Sequence, residues 1–154
     1  MLQILNNAKT IEDLISDPLF NSDDYEGYVY LTVDILNNKQ YIGKKNFRSS
    51  QNKKLGKKEI AALPVARGRT PSKKRVVKES DWKTYYGSNS AIKELIKKNG
   101  SDGFKRYLLE LCKTKKDLSY QETKYMFKYD VLESDRFYND NILGKFYSKD
   151  FIKP

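Results

Sequence analysis

From Gly27 to Ile35 the chain alternates Tyr28, Tyr30, Thr32 and Asp34 with Val29, Leu31, Val33 and Ile35. That period of two predicts a half-buried strand with one apolar face. Asparagine tolerates positive φ, so Asn37-Asn38 predicts a two-residue hairpin turn, and pairing outward from it sets Asp34 opposite Tyr41. Tyr30 and Tyr41 then share a face, whereas a three-residue turn would separate them. Beyond Gly87 the spacing turns helical. Ser88 or Ser90 caps a helix whose Ile92, Leu95 and Ile96 lie on one side, and Asn99-Gly100 stops it. Phe104 to Cys112 reads as a third strand, with Leu108, Leu109 and Leu111 as core. Asp117 caps a second helix carrying the stripe Leu118, Tyr125, Met126, Tyr129 and Leu132. Ahead of all this, Leu2 to Ser16 predicts a short amphipathic helix with Ile4, Leu5, Ile11, Leu14 and Ile15, ended by Asp17-Pro18.

Glu122 interrupts the apolar stripe of the last helix. It lies four residues after Leu118 and four before Met126, so its carboxylate points where the core-facing side chains point. A glutamate is rarely buried without a partner. Either a buried salt bridge satisfies it, or it holds a divalent metal or meets substrate. Phe137-Tyr138-Asn139 follows, where Asn139 would orient that carboxylate or cap a turn. Tyr30 and Tyr41 carry the same ambiguity, because cross-strand aromatic pairs also stabilise sheets. Asp81 to Ser88, aromatic and basic, suits base stacking or a core edge equally. Phe146, Tyr147 and Phe151 read as residues that dock the C-terminal tail.

Charge changes the picture in one segment. Between Lys45 and Ser80 stand twelve basic residues against Glu59 and Glu79, while the rest of the chain balances eighteen of each sign. A connection this long and this basic is functional or disordered, and its lysines and arginines suit the phosphates of a nucleic acid. The other reading is a flexible solubilising insertion. Ile60 to Val65 is apolar enough for a helical turn within it.

Composition narrows the chemistry. The chain has 154 residues and no histidine, which removes Ser-His and Cys-His nucleophilic systems, histidine-metal nucleases and most zinc enzymes. Cys112 is the single cysteine, so no intramolecular disulfide forms and an intracellular setting is expected. No apolar run reaches membrane-spanning length, and the mean hydropathy of −0.79 fits none. The first seven residues lack the basic flank and long apolar core of a secretory signal.

These residues resemble the GIY-YIG nuclease family from Gly27 to Asn139. Tyr28-Val29-Tyr30 is similar to the first family motif, with Tyr28 in place of its glycine, and Tyr41-Ile42-Gly43 matches the second intact, Tyr41 following Tyr30 by eleven residues. Glu122 looks like the family's metal-binding glutamate and Asn139 like its late asparagine. The resemblance implies an α+β fold, a small three-stranded, mainly antiparallel sheet flanked by helices, here with a long basic insertion after the second strand. Residues 1–24 would be an N-terminal helical extension and 25–154 the nuclease-like domain, its insertion at about 45–80. The implied activity is metal-assisted hydrolysis of DNA phosphodiesters by a free-standing phage or mobile-element endonuclease of homing type, acting inside the cell (the host cell if phage-encoded). Glu122 would hold one Mg²⁺ (or Mn²⁺), and Tyr30 or Tyr41 would act as base. Free tyrosine has a pKa of about 10, so that role requires the nearby cations to lower it. The family's arginine follows its second motif. The insertion leaves Arg48 and Arg75 as candidates, with Arg48 nearer and favoured, and Lys44 or Lys45 as other sources of positive charge. Lys44, Lys45, Arg67, Arg69, Lys73, Lys74 and Arg75 are the expected DNA contacts. A homodimer on DNA would let one site per subunit cut both strands. A binding protein that has lost catalysis, and a structure-selective repair nuclease, are the competing readings.

Overall fold

The computed structural model describes residues 7–64 and 67–151. Its central sheet has the order β2-β1-β5, built from β1 (Gly27–Asp34), β2 (Lys39–Asn46) and β5 (Phe104–Cys112), antiparallel throughout. The fold is α+β, with helices against the sheet. β1 is therefore the central strand, and the expectation that one of its faces meets solvent is corrected. Tyr28, Tyr30, Thr32 and Asp34 are as buried as Val29 and Leu31. Their polar atoms find distant partners: Tyr28 Oη donates to Trp82 O, Thr32 Oγ1 to Tyr86 O, and Asp34 accepts from Tyr138.

The hairpin is also corrected. Asp34 pairs with Lys39 across the four residues 35–38, and Tyr41 stands opposite Thr32 rather than Asp34. Of these four residues only Asn38 adopts positive φ, at 51°. The register moves by two residues, so Tyr30 and Tyr41 still share a face. Asp34 closes the loop by accepting from the backbone N and from Nδ2 of Asn37 at 3.1 and 2.8 Å, and from Tyr138 Oη at 2.6 Å.

Burial pushes the Asp34 carboxyl up, but these hydrogen bonds outweigh it and hold the pKa below the usual carboxylate range. The stability they contribute is in place above about pH 4 and is lost as the pH falls through the folded-state value. Asp34→Asn is expected to lower unfolding free energy at pH 7 by roughly 1.5–3 kcal/mol and to flatten the acid limb. Urea titrations between pH 2 and pH 7 would measure both.

One sheet face packs on α4 (Lys115–Lys128), where Val29, Leu31, Ile42 and Cys112 meet Leu118 and Met126. This helix is capped by Thr114, with Asp117 at its third position, so it begins two residues before the expected cap; Leu132 lies past its end yet joins the same core. The other face is aromatic: Tyr28, Tyr30, Phe47 and Trp82 pack with Ile11 and Leu14 of α1 (Ile11–Ser16). Thr10 caps α1, so residues 7–10 are not helical as expected, and Leu2, Ile4 and Leu5 lie outside the described residues. Arg106, 3% exposed, ties this face together. It donates to Glu12 Oε1 at 2.6 and 3.1 Å and to Tyr85 O at 3.0 Å. Trp82 is buried and Arg106 lies over the Tyr86 ring, so the aromatic segment is a core edge. The helix α3 (Ser90–Asn99) is capped by Asn89, between the two expected serines, and ends at Gly100. No described helix is long and apolar enough to cross a membrane. Phe146 meets Phe127 edge-on, on the short hairpin of β6 (Asn141–Ile142) and β7 (Phe146–Tyr147), and stays partly exposed.

Residues 48–80 form a unit of their own. β3 (Arg48–Lys54) and β4 (Lys73–Glu79) pair antiparallel, and α2 (Lys57–Ala61) sits in the connection. The expected helical turn starts earlier than Ile60, and Val65 lies outside the described residues.

Candidate active site

The site gathers around β2, an edge strand of the sheet. Tyr41 leaves it toward the aromatic face, and Lys44 toward α4. The outward backbone groups of β2 are covered by the segment that follows α4. Gln40 N donates to Arg136 O and Gln40 O accepts from Tyr138 N, both at 2.7 Å. Asn139 then completes the edge with its side chain, accepting from Ile42 N at 3.0 Å and donating to Ile42 O at 2.8 Å. It neither orients Glu122 nor caps a turn; it stands in for a paired strand, 4% exposed. Asn139→Ala would leave two buried backbone groups unpaired and is expected to cost about 2–4 kcal/mol, measurable by chemical denaturation.

Tyr41, Lys44, Ser88, Glu122, Asn139 and Asp140 line a polar cleft of about 580 Å³. Tyr41 Oη lies 2.8 Å from Ser88 Oγ. Lys44 Nζ donates to Ser119 Oγ at 2.7 Å and stands 3.9 Å from Glu122 Oε1. The Glu122 side chain is 17% exposed. Burial pushes its pKa up, and the Lys44 ammonium and backbone N–H only partly oppose this. The structure thus brings Tyr41, Glu122 and Asn139 to one cleft, with Lys44 as its cation. Tyr30, 1% exposed, sits behind Tyr41 at a ring separation of 6.2 Å.

Both tyrosines depend on glycines. A Cβ on Gly43 would fall on the Tyr30 hydroxyl, and one on Gly87, whose φ is 144°, would lie 3.1 Å from the Tyr41 ring. The second motif therefore ends in glycine because a tyrosyl ring crosses its backbone.

The expected lowering of a tyrosine pKa is reversed. Burial raises Tyr30 well above its ordinary value, with Tyr41 and Tyr85 adding to it. Burial also raises Tyr41, more than its hydrogen bond to Ser88 lowers it; Glu122 and Asp140 push the same way. Lys45 brings no relief to either, because its ammonium pairs with Asp81 at 2.6 Å and covers the Tyr85 ring at 3.9 Å.

No arginine lines the cleft among the described residues, and the basic residues of α3 are all lysines. Arg48 and Arg75 are on β3 and β4, facing Glu79 and Asn52. Lys73 and Lys74 are on β4, where Lys74 pairs with Glu59, and Arg67 and Arg69 are exposed in the connection before it. Asn89, Ser119 and Asp140 belong to the site without being expected there, and Ser88, expected as a helix cap or in a stacking segment, instead lies against Tyr41. Gly87 followed by Ser88-Asn89 at a helix start was the available signal, since Asn89 both caps α3 and donates to Tyr138 O.

The donor set suits a hard divalent cation. Mg²⁺ commonly takes one or two carboxylates and keeps several waters, and among the described residues no group of three His, Cys, Asp or Glu forms an all-protein cage. Glu122 with Asp140 on the same cleft meets the weaker requirement.

No curated protein and no solved structure matches the chain. A family model described as putative endonuclease segE, GIY-YIG domain, matches residues 15–142, spanning the sheet, α3, α4 and every residue of the cleft named above. The chain belongs to the GIY-YIG nuclease family.

Proposed function

We propose that this nuclease is a divalent-metal-dependent DNA endonuclease of phage or mobile-element type, using Mg²⁺ or Mn²⁺ at Glu122 and acting on DNA inside the cell. One observation carries the reading. Glu122 is a mostly buried carboxylate whose nearest cation stands at 3.9 Å, facing a polar cleft shared with Tyr41. A structural ion pair in that setting would close to hydrogen-bonding distance. Glu122, with Asp140 on the same cleft, would hold such a cation, which when bound would supply polarisation of the scissile phosphate and offset charge on the departing 3′-oxygen.

The chain's own groups do the rest. Tyr41 rests as the neutral phenol, since burial raises its pKa. In that form its Oη shares a hydrogen bond with Ser88 Oγ and would orient the attacking water, whose proton leaves to solvent as the P–O bond forms. Lys44, held by Ser119, brings positive charge to the phosphoryl oxygens without the fork of an arginine. Asn139 fixes the β2 edge from which Tyr41 and Lys44 both project. One such cleft lies among the described residues, so two copies on DNA would cut both strands together.

That no arginine lines the cleft among the described residues favours a second reading, a DNA-binding protein without catalysis. Supercoiled plasmid incubated with Mg²⁺ or with EDTA separates the two. Mg²⁺-dependent nicking, reduced on the order of 10²-fold or more in Tyr41→Phe with its melting temperature preserved, is the expected result. Salt-sensitive retention of plasmid without nicking would establish the second reading instead.

A further inference from the structure

We propose that the β3–β4 ribbon reads base edges in the major groove of duplex DNA, with Asn52 and Arg75 as the reading pair. The inference rests on the assignment of DNA as substrate and goes beyond it, since a basic insertion alone implies phosphate contact without sequence preference.

The pairing register sorts the ribbon into two unlike faces. One carries Ser49 and Lys78, Gln51 and Val76, then Lys53 and Lys74. Lys74 on this face is tied to Glu59 of α2, and Val76 here is half-buried. The opposite face begins with half-buried Arg48 and exposed Glu79 at the base of the ribbon and then runs Ser50 and Val77, Asn52 and Arg75, and Lys54 and Lys73, these six exposed. Its chemistry differs from that of a phosphate grip. Asn52 carries no charge, and an asparagine amide offers the donor and acceptor that match adenine N6 and N7. Directly across the ribbon, Arg75 offers the fork that matches guanine O6 and N7. Val77, 55% exposed, gives the apolar contact that a thymine methyl takes. The lysines at 54 and 73 then lie one cross-strand pair further along, at the end of the strands, where they would meet phosphate.

The dimensions agree. The major groove is about 12 Å wide and admits a two-stranded ribbon. Successive pairs on one face are about 6.8 Å apart, close to two base-pair steps of about 3.4 Å. Asn52 and Arg75 would therefore address neighbouring base pairs, with Ser50 and Val77 two steps away.

The test uses the full chain in EDTA, where binding is read without cutting. A pool of duplexes with a randomised centre is mixed with the protein, and the bound fraction is sequenced. Wild type should enrich a short motif containing a guanine. Arg75→Lys, which keeps the charge and removes the fork, should lose preference at that position by roughly 5- to 150-fold while the salt dependence of binding holds. Asn52→Ala should relax a neighbouring adenine. Lys53→Ala, on the other face, should leave the motif intact. Absence of an enriched motif, or one unchanged in both Arg75→Lys and Asn52→Ala, overturns the proposal while leaving the nuclease assignment standing. Failure to retain any duplex even at low salt overturns both.

Discussion

Glu122→Gln is expected to reduce metal-dependent DNA cleavage by roughly 10³-fold without destabilising the protein. Glutamine keeps the volume and one carbonyl oxygen but offers no negative charge to a divalent cation. The stability side follows from the raised pKa. A carboxyl whose folded pKa lies above its unfolded value is most favourable to the fold while protonated, and that contribution is lost as the pH rises through the folded value. At neutral pH the ionised group is a burden that glutamine removes, and Lys44 keeps its 2.7 Å bond to Ser119. Melting temperature should therefore hold or rise while plasmid nicking disappears, the pattern of a residue retained for chemistry at some cost to stability. A large fall in melting temperature with nicking intact would mark Glu122 as half of a structural ion pair.

The sequence made Glu122 legible because a helix has a fixed period: any charge inside an apolar stripe stands out whatever the tertiary fold. Tyr30 and Tyr41 were legible for a weaker reason. The hairpin register was misjudged by two residues, and the shared face survived because a strand has a period of two. Burial of both faces of β1 was hidden, since Tyr28, Thr32 and Asp34 are satisfied by Trp82, Tyr86 and Tyr138, more than fifty residues away. Asn139 was found and its work misread: an amide that substitutes for a strand leaves no local signature. The basic segment declared its charge and concealed its ribbon, because a ribbon polar on both faces lacks the alternation that reveals strands. Arg106 went unnoticed inside a strand, where nothing in the neighbouring residues points to Glu12 or to the carbonyl of Tyr85.

Gly43→Ala tests the other half of the site. Removing a glycine from a strand normally helps, by roughly 0.5–1 kcal/mol, so a loss here isolates a steric cause. The added Cβ would meet the Tyr30 hydroxyl, and would lie 2.7 Å from Tyr30 Cζ and 2.9 Å from Tyr41 Cε1. Tyr30 has nowhere to retreat: its ring is flanked by Tyr28, Tyr41 and Tyr85 at 5.8, 6.2 and 6.0 Å. Overpacking of this kind costs about 1–3 kcal/mol, and part of the relief must come from Tyr41 moving off Ser88. A displacement near 1 Å at a catalytic group lowers the rate by about 10²-fold, so cleavage per folded molecule should fall by that order. Gly100→Ala is the control, because its φ of 78° is strained for alanine and no atom lies within 4 Å of its Cβ. It should lower the melting temperature and leave cleavage per folded molecule unchanged. Tyr30→Phe in the Gly43→Ala background deletes the oxygen under the new methyl. Partial recovery of stability in that double variant, measured as a double-mutant cycle, would place the damage at the crossing of the two motifs; additive losses would place it elsewhere.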